Sequence, residues 1–530
     1  MKISNAIDLA IENIQKEGLT DVEVFSRPFE LDLLKISATC EEIKQAIKTS
    51  LKESQIKLMG FSPISHILVP KKELFDFRKC AIIEPIDELK YLSLVLQIAD
   101  QIETQRPNKS KNLVFSYRLN PEKGYLFDAK YNYTSFREYV IKKSKQRNVN
   151  VVVSCDIANF YDRLNLHRLE CILSSNPKID KKIILQINEL LLFWSGRDSY
   201  GIPVGSNASR ILAEAALIEI DNFLISHKIA YCRFVDDFRI FAPDSATAHK
   251  WLALLVDRLS KEGLFLNTNK TVIKDVSIIS EDDADKKPEE TETTRETENK
   301  HEISRIIRGY SGLIPTKFRA LTASEHEKLK VINITEEIDK ISSSLLISPP
   351  NFVLLVKACF SQKDAPGIIR LVTNLNKFPQ FIPYVIDGII KNEDIFSEEQ
   401  IKELSTLLAF WLDQDNAPEF VSIFVIRFFG HGRFTNKSTL FECFRQLKRN
   451  DGNYIGRALL EQLEPIIERG EVLEIRDYFT RADPSERRQI LKIADTHLTK
   501  GEKRPFFKNT RAQSQDILLN KMINIYEAKA

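Results

Sequence analysis

Cysteine is scarce in this chain, and its placement excludes two common kinds of site. The 530 residues include seven cysteines, an odd number, and no two of them form a CxxC pair. This pattern argues against a disulfide framework and against a zinc site, and it is typical of a protein kept in a reducing bacterial cytoplasm. We therefore expect a cytoplasmic protein whose cysteines act as small buried hydrophobic side chains.

Long apolar runs and an excess of one charge are also missing. No stretch approaches the roughly 18 consecutive apolar residues that a membrane helix needs, so we expect no membrane partner. The start of the chain carries a charged side chain every few positions, unlike a secretory signal peptide. The 76 basic and 74 acidic residues nearly cancel. Any surface that binds nucleic acid must therefore be local.

A segment without large hydrophobic side chains divides the chain. Residues 281–300 contain no aliphatic or aromatic residue larger than alanine and are rich in Glu, Thr and Lys. Such a stretch cannot bury enough apolar surface to offset the entropy lost on ordering. We predict an acidic flexible linker or insertion over 279–304, with one domain at 1–278 and a second at 305–530.

The two predicted domains differ in their pattern of hydrophobic residues. Before the linker, short apolar segments predict a strand over 148–156, a strand–turn–strand unit over 231–243 and a further two-stranded unit over 68–85. A longer apolar pattern over 208–227 predicts a helix. After the linker, apolar segments of about 10–16 residues, separated by short Pro, Gly, Asp and Asn turns, predict paired helices. These form either a HEAT-type solenoid or an irregular bundle.

Three aspartates stand out because of their surroundings. Asp156 ends a predicted strand, and Asp236 and Asp237 are adjacent in the turn between two apolar half-strands. Carboxylates in such surroundings are costly unless a cation compensates them, and Mg²⁺ suits oxygen ligands that leave room for phosphate and water. Two such ions about 3.5–4 Å apart can activate a 3′-hydroxyl and stabilise a leaving pyrophosphate. For an Asp-Asp pair taken alone, a simple hairpin turn is the alternative.

Four segments occur in a characteristic order. They are DIANFYDRL at 156–164, GIPVGSNASRILAEAAL at 201–217, FVDDF at 234–238 and GLFLNTNKT at 263–271. In this order and spacing they resemble motifs A, B, C and D of the reverse-transcriptase palm, across roughly residues 60–275. The resemblance implies α/β fingers and palm, followed here by an all-α domain. It also implies a nucleotidyltransferase that uses two Mg²⁺ ions, for which Mn²⁺ can substitute.

The resemblance assigns roles within motifs A and C. Asp156, Asp236 and Asp237 match the catalytic metal ligands, and the carbonyl of Ile157 matches a backbone ligand. Phe234 stands where the family usually has Tyr, so this chain keeps the aromatic ring and lacks the hydroxyl.

The resemblance also suggests roles for one further residue of motif A and one of motif D. Tyr161 falls where these enzymes place an aromatic gate against a ribose 2′-hydroxyl, which predicts the use of deoxynucleotides. Lys270 could protonate or neutralise the leaving pyrophosphate. The alternatives are a packed core aromatic for Tyr161 and a solvated lysine after a turn for Lys270.

Motif B predicts a surface against the nascent base pair. Gly205, Ala208 and Ser209 would let the backbone approach it closely, and either Ser206 or Asn207 can cap the start of the helix. We therefore expect Gly205, Asn207 and Ser209 to bind the nucleotide. Val204 stands where many reverse transcriptases carry Gln, a departure that removes a polar group near the template.

Three basic residues upstream are candidate ligands of the triphosphate. Lys71 and Arg78 lie on the predicted two-stranded unit and resemble the Lys/Arg pair of the fingers. Arg118 belongs to the segment SYR at 116–118, which is common in bacterial defence-type members. Ordinary surface cations are the alternative for all three.

A palm with SYR, FVDD and a C-terminal helical domain is similar to the abortive-infection reverse transcriptases of bacteria. This resemblance implies template-independent synthesis of single-stranded DNA from dNTPs in phage defence. It also implies priming from a protein hydroxyl, so that the product is covalently attached, and a homo-oligomer, a trimer or higher. The alternatives are an RNA-templated enzyme of retron or intron type and a catalytically silent nucleic-acid-binding scaffold. The sequence does not select a priming residue.

Overall fold

A computed structural model describes most of the chain. It covers residues 1–53, 55–71, 76–276, 316–319, 321, 323–344, 349–413, 418–447 and 454–529. The predicted acidic linker at 279–304 lies outside the described residues.

Packing divides the chain into two compact units. The first unit consists of Met1–Val22, Arg27–Ile64 and Ile83–Ser311, and the second of Glu23–Ser26, Ser65–Ile82 and Gly312–Ala530. Two short stretches of the predicted first domain therefore belong to the second unit. The domain limits inferred from the sequence remain a prediction.

The described strands form three antiparallel arrangements. The strands are β1 (Ser65–Pro70), β2 (Phe77–Ile82), β3 (Leu119–Glu122), β4 (Tyr125–Phe127), β5 (Val151–Asp156), β6 (Tyr231–Phe234), β7 (Asp237–Ala242) and β8 (Val272–Asp275). Strands β1 and β2 pair with each other, as do β3 and β4, while the central sheet has the order β6-β7-β5-β8. The predicted strand at 148–156 and both predicted two-stranded units are confirmed.

The central sheet places two of the three aspartates at one end of its two middle strands, β5 and β7. Strand β5 carries three consecutive valines, and the facing strand β7 carries two phenylalanines and an isoleucine, all of them buried. Such β-branched and aromatic pairs stabilise neighbouring strands. Because β5 ends where the β6–β7 turn begins, Asp156 lies directly opposite Asp237.

Helices surround the sheet in the first unit. They are α1 (Ile3–Glu17), α2 (Ser37–Ser50), α3 (Ile56–Met59), α4 (Pro85–Gln105), α5 (Tyr133–Ser144), α6 (Phe160–Arg163), α7 (Leu166–Ser174), α8 (Lys181–Trp194), α9 (Asn207–Ala216), α10 (Ile218–Ser226) and α11 (Ser245–Lys261). The helix predicted over 208–227 is thus two helices. They part at Leu217, whose N–H bonds to the Glu214 carbonyl only three residues back and so tightens the turn.

The second unit is helical apart from the β1–β2 hairpin, among the residues that the structure describes. Its helices are α12 (Ala323–Leu329), α13 (Ile334–Ser343), α14 (Pro349–Ser361), α15 (Ala365–Thr373), α16 (Ile382–Lys391), α17 (Glu398–Ala409), α18 (Glu419–Phe429), α19 (Lys437–Gln446), α20 (Ile455–Leu463), α21 (Arg469–Tyr478), α22 (Pro484–His497), α23 (Lys500–Gln513) and α24 (Ile517–Lys529). The alternate helices α16, α18, α20, α22 and α24 pack on one another in succession. A stack of helix pairs requires such packing, and the HEAT-type assignment itself remains a prediction.

Two expectations drawn from the absences can be compared with the structure. All seven cysteines are free, and five are buried, but Cys171 is exposed on α7 and Cys443 is half-buried. The expectation that every cysteine is buried is therefore wrong for these two. Within the described part of the chain, no helix is both long and apolar enough to cross a membrane.

Candidate active site

The three aspartates meet where β5 ends. Asp156 and Asp237 are direct cross-strand partners, so their side chains lie on the same face of the sheet with Cβ atoms about 4.5–5.5 Å apart. The N–H of Ile157 donates to the Asp236 carbonyl at 3.1 Å, which fixes the backbone of the third aspartate beside motif A. The sequence motifs are 80 residues apart in the chain, and the sheet makes them one site.

Each of the two facing carboxylates has its own cation. Lys270 Nζ lies 3.1 Å from Asp156 Oδ2, and Arg239 bonds to Asp237. Lys270 reaches Asp156 because the Asn267 N–H donates to the Asp156 carbonyl at 2.7 Å, which brings the motif D loop against the end of β5. The structure therefore brings Lys270 to the predicted site.

Burial disfavours the charged form of the Asp237 side chain, and its neighbours offset this effect only in part. Burial raises the pKa of Asp237 above its ordinary value, and the neighbouring charge of Asp156 acts in the same direction. Arg239 and Lys270 lower this pKa without reversing the shift. The two cations therefore do not fully offset the burial of this carboxylate, which favours a further cation at the site.

The donor chemistry fits a divalent ion that is bound together with substrate. Among the described residues, no three His, Cys, Asp or Glu side chains are grouped so as to hold a metal ion. Mg²⁺ needs no such cage, because it keeps several waters and is completed by substrate phosphates on one or two carboxylates. Asp156 and Asp237 would supply two such carboxylates. Metal ligation by Asp156, Asp236, Asp237 and the Ile157 carbonyl remains a prediction.

The turn that carries the aspartates is strained. Val235 has a φ of +53°, in the left-handed region that β-branched residues rarely adopt. Such a conformation costs about 1–3 kcal/mol and persists only where the surroundings impose it. Asp236 and Asp237 follow directly, so their positions depend on what holds Val235.

Tyr161 links motif A to motif B. Its carbonyl accepts a hydrogen bond from the Ile202 N–H at 3.1 Å, and its ring packs edge-to-face on Phe160 with centroids 5.7 Å apart. The residue is half-buried. Burial raises the pKa of the Tyr161 hydroxyl well above its usual range, so the hydroxyl stays protonated. Its role as a sugar gate remains a prediction.

Two residues of motif B are engaged by the chain itself. The Asn207 amide donates to Asn13 at 2.9 Å and to Glu17 at 3.0 Å. Ser209 is fully buried, and its hydroxyl pairs with the Tyr91 hydroxyl at 3.1 Å. These contacts do not support the prediction that both residues bind a nucleotide. The reason is that motif B packs on the N-terminal helix α1 and on α4, which the local sequence did not reveal.

The second glycine of motif B, Gly205, is also covered by another part of the chain. Gly205 has a φ of +116°, and a β-carbon there would collide with Thr20 Oγ1 and lie 3.3 Å from Val22 Cγ2. Next to it, Arg210 forms an ion pair with Asp21. The close approach that we predicted for a base pair is thus made by the N-terminal segment, residues 17–22, which covers motif B.

Arg118 is a structural residue in this fold. Its guanidinium is buried, lies 2.6 Å from Glu103 Oε1 and donates to the Pro107 carbonyl at 2.9 Å. The prediction that Arg118 grips a triphosphate is therefore not supported, because the side chain has no route to solvent in this arrangement. Burial lowers the pKa of Arg118, with Glu103 acting against that shift.

The remaining basic candidates lie on the hairpin of the second unit. Lys71 Nζ pairs with Asp76 at 3.0 Å, and Arg78 is the cross-strand partner of Val69. Their assignment as ligands of the triphosphate remains a prediction.

A buried ionic network lies next to the site, and the sequence reading missed it. Glu214 contacts Arg106 at 2.7 Å and Arg233 at 2.9 Å, and Arg233 contacts Asp221 at 2.7 Å. All four side chains are essentially inaccessible to solvent. One signal could have found them, since Glu214 and Arg233 are single charges inside the apolar runs ILAEAAL and YCRFV.

Comparison with known proteins agrees with this geometry. Residues 102–294 match the family model described as Reverse transcriptase (RNA-dependent DNA polymerase). This stretch contains motifs A, B, C and D and the SYR segment. No curated protein matches the chain in sequence.

The solved structures that resemble the chain include telomerases. One is apo telomerase from Candida tropicalis truncated from its C-terminal domain, with 17% identity, a TM-score of 0.30, and coverage of 41% of this chain and 50% of that one. Another is telomerase from Candida albicans in complex with the TWJ fragment of telomeric RNA, with 14% identity, a TM-score of 0.29, and coverage of 68% and 66%. The chain thus spans between half and two thirds of the length of these two proteins.

The domain assignment therefore rests on the sequence match and on the assembled motifs. Reverse transcriptase domains generally use divalent metal ions and bind nucleotides and nucleic acids, in agreement with the facing carboxylates of Asp156 and Asp237. Residues 102–294 therefore match a reverse transcriptase domain, and this match indicates a nucleotidyltransferase.

Proposed function

We propose that this chain is a DNA polymerase of reverse-transcriptase type that makes single-stranded DNA from dNTPs without a template. In this proposal synthesis starts from a hydroxyl of the protein, the product stays attached to it, and the enzyme acts as a homo-oligomer in bacterial defence against phage. The reaction joins a 3′-hydroxyl oxygen to the α-phosphorus of a dNTP and releases pyrophosphate.

The catalytic part of the proposal is supported by the carboxylates at the ends of β5 and β7. Asp156 and Asp237 face each other in direct register, with Asp236 in the adjoining turn. Two bound Mg²⁺ ions would lower the pKa of the attacking hydroxyl and stabilise the charge on the leaving group. Lys270, held 3.1 Å from Asp156, can donate a proton to the pyrophosphate as it leaves.

The covering of motif B is the single observation that carries the template-free part. Residues 17–22 pack on Gly205, bond to Asn207 and pair with Arg210, so the chain itself occupies the surface that the resemblance assigns to the base pair. A template base that stacked there would have to displace a buried ion pair and several hydrogen bonds. Val204, which replaces a polar Gln, points in the same direction.

The other parts of the proposal have different support. The preference for deoxynucleotides follows from the ring of Tyr161 in motif A. Priming by a protein hydroxyl, oligomerisation and the role in phage defence follow from the resemblance to abortive-infection reverse transcriptases. The helical second unit supports that resemblance, because those enzymes combine a palm with a C-terminal helical domain.

One experiment tests the proposal as a whole. Purified protein is incubated with Mg²⁺ and labelled dNTPs, without template or primer, and the products are separated on a denaturing gel before and after protease. We expect label that migrates with the protein until the protease releases it. Incorporation that requires an added RNA template and primer would identify a templated enzyme instead.

A further inference from the structure

The SYR segment at 116–118 has no role in the proposed reaction. It contacts the turn between β6 and β7, which leads into Asp236 and Asp237. Residues 113–115 run beside β6, with the Arg233 N–H donating to the Leu113 carbonyl at 2.8 Å and the Phe115 N–H donating to the Arg233 carbonyl at 3.0 Å. Strand β6 ends at Phe234. The pairing places Ser116 beside the next residue, Val235. The segment is therefore anchored to the same strand that leads into the two aspartates.

Ser116 holds one side of the strained peptide and Arg233 holds the other. The Val235 N–H donates to Ser116 Oγ at 2.9 Å, and the Val235 carbonyl accepts from Arg233 Nη1 at 3.2 Å. Ser116 and Arg233 are both fully buried, so no water competes for these bonds. The left-handed conformation of Val235 is thus fixed at both of its polar groups.

Glu214 determines which way the Ser116 hydroxyl points. Ser116 Oγ donates its single proton to Glu214 Oε1, which leaves a lone pair directed at the Val235 N–H. Burial would raise the pKa of Glu214, but Arg106, Arg233 and the Ser116 hydroxyl outweigh burial and lower it. Glu214 is therefore a carboxylate, which can only accept, and the hydroxyl cannot turn around.

The adjoining residue adds an apolar support. Tyr117 has a φ of +45°, and its ring packs against Phe234 with centroids 6.2 Å apart and against Phe127 at 5.1 Å. Arg210 lies over the same ring at 5.2 Å. Two consecutive residues of the segment thus contact the two residues that precede Asp236.

We propose that Ser116 is a positioning residue for the metal-binding carboxylates, acting through the Val235 peptide and oriented by Glu214. Its hydroxyl accepts from the turn and donates to Glu214, which keeps Asp236 and Asp237 placed for divalent ions. An alanine can do neither, whereas a threonine keeps the hydroxyl. The inference rests on the proposed function only in assigning metal ions to these aspartates.

The test compares Ser116→Ala and Ser116→Thr with a matched control. Ser93→Ala removes another fully buried hydroxyl, which donates to the Leu89 carbonyl at 2.6 Å within α4 and has no contact with the turn. Amide hydrogen exchange is measured with single-residue resolution in the metal-free protein, with amides of α8 as a reference for global opening. Affinity for Mn²⁺ is measured by calorimetry without nucleotide.

We expect Ser116→Ala to speed exchange at Val235 about tenfold, since one buried hydrogen bond is lost, and to weaken Mn²⁺ binding several-fold. Ser116→Thr should remain close to wild type, and Ser93→Ala should change neither value. Unchanged exchange in Ser116→Ala, or faster exchange with unchanged Mn²⁺ affinity, would overturn the inference. Neither measurement depends on DNA synthesis. If the wild-type protein makes no DNA, the proposed function is refuted, but the role of Ser116 can still be tested.

Discussion

Asp156 and Asp237 face each other across β5 and β7 in direct register, and each carboxylate is paired with a different cation, Lys270 and Arg239. The two cations come from different motifs. Arg239 lies on the same strand as Asp237, whereas Lys270 arrives on a separate loop and is mostly exposed. We therefore propose that Lys270, rather than Arg239, is the cation that moves between the carboxylate and a leaving pyrophosphate.

The first prediction concerns Lys270. Lys270→Ala should lower the rate of nucleotide incorporation by about 10²-fold, because a positioned proton donor contributes this much or more. The side chain is 60% exposed, so the fold should not change. Single-turnover incorporation with saturating dNTP measures the effect. Lys261→Ala is a matched control, since Lys261 is equally exposed and pairs with Asp257. Equal rates in the two variants would remove Lys270 from the mechanism.

The second prediction concerns the sugar. Tyr161→Ala should increase the use of ribonucleotides relative to deoxynucleotides by at least tenfold, because a smaller side chain leaves room for the 2′-hydroxyl. Tyr161→Phe keeps the ring and should keep the selectivity of the wild type. Competition between labelled dNTP and rNTP measures the ratio. A ratio that is the same in all three proteins would show that the ring only packs on Phe160.

The third prediction is that Arg118 and Arg78 have different roles, one in stability and the other in binding of the dNTP. Arg118→Ala should lower the free energy of unfolding by about 1–3 kcal/mol, because it removes a buried hydrogen bond to the Pro107 carbonyl and one of the two arginines that pair with Glu103, while Arg106 stays 2.8 Å from that carboxylate. Arg78→Ala should instead raise the KM for dNTP with little change in stability, if the hairpin binds the triphosphate. Urea unfolding and steady-state kinetics measure the two effects. A raised KM with normal stability in Arg118→Ala would return this residue to the binding site.

The fourth prediction is a dependence of stability on pH. Burial raises the pKa of Glu88 to about 8, against an ordinary value of 4.5, although the Ser206 hydrogen bond and Arg210 lower it. Between these two values the folded chain holds a proton that the unfolded chain has released. Stability from this group is therefore fully present below pH 4.5 and falls as the pH rises to about 8, by about 1.4 kcal/mol per unit.

Glu88→Gln removes that dependence and keeps the oxygen that accepts from Ser206 at 2.6 Å. We expect the variant to be more stable than the wild type at pH 8, with a difference that narrows steadily toward pH 5. Thermal unfolding at several pH values measures it. A difference that does not vary with pH would contradict a neutral Glu88 in the folded state.

Local patterns were sufficient to predict the strands and the turn that carry Asp156, Asp236 and Asp237. The valines before Asp156 and the apolar half-strands around Asp236 and Asp237 are short and rich in β-branched and aromatic residues, which favours strands over helices. The same holds for the helices of the second unit, whose apolar runs and turn residues repeat at helical lengths. These signals are local, so one sequence reveals them.

Contacts between distant segments were not predictable in this way. Ser116 and Val235 are separated by 119 positions, and Asn207 and Glu17 by 190. No local pattern marks such a pair. The contact of Arg118 is another example, since a basic residue in a motif gives no sign of the Glu103 that pairs with it in the folded chain.

The most direct test of the account is nucleotide incorporation without template by the wild type and by a variant with Asp236→Ala and Asp237→Ala. Circular dichroism and thermal unfolding establish that the variant is folded. We predict protein-attached DNA from the wild type and none from the variant, because the Asp237 carboxylate that faces Asp156 and the adjoining Asp236 carboxylate are both lost. Synthesis by the folded variant at the rate of the wild type would contradict the assignment of these aspartates as the catalytic site.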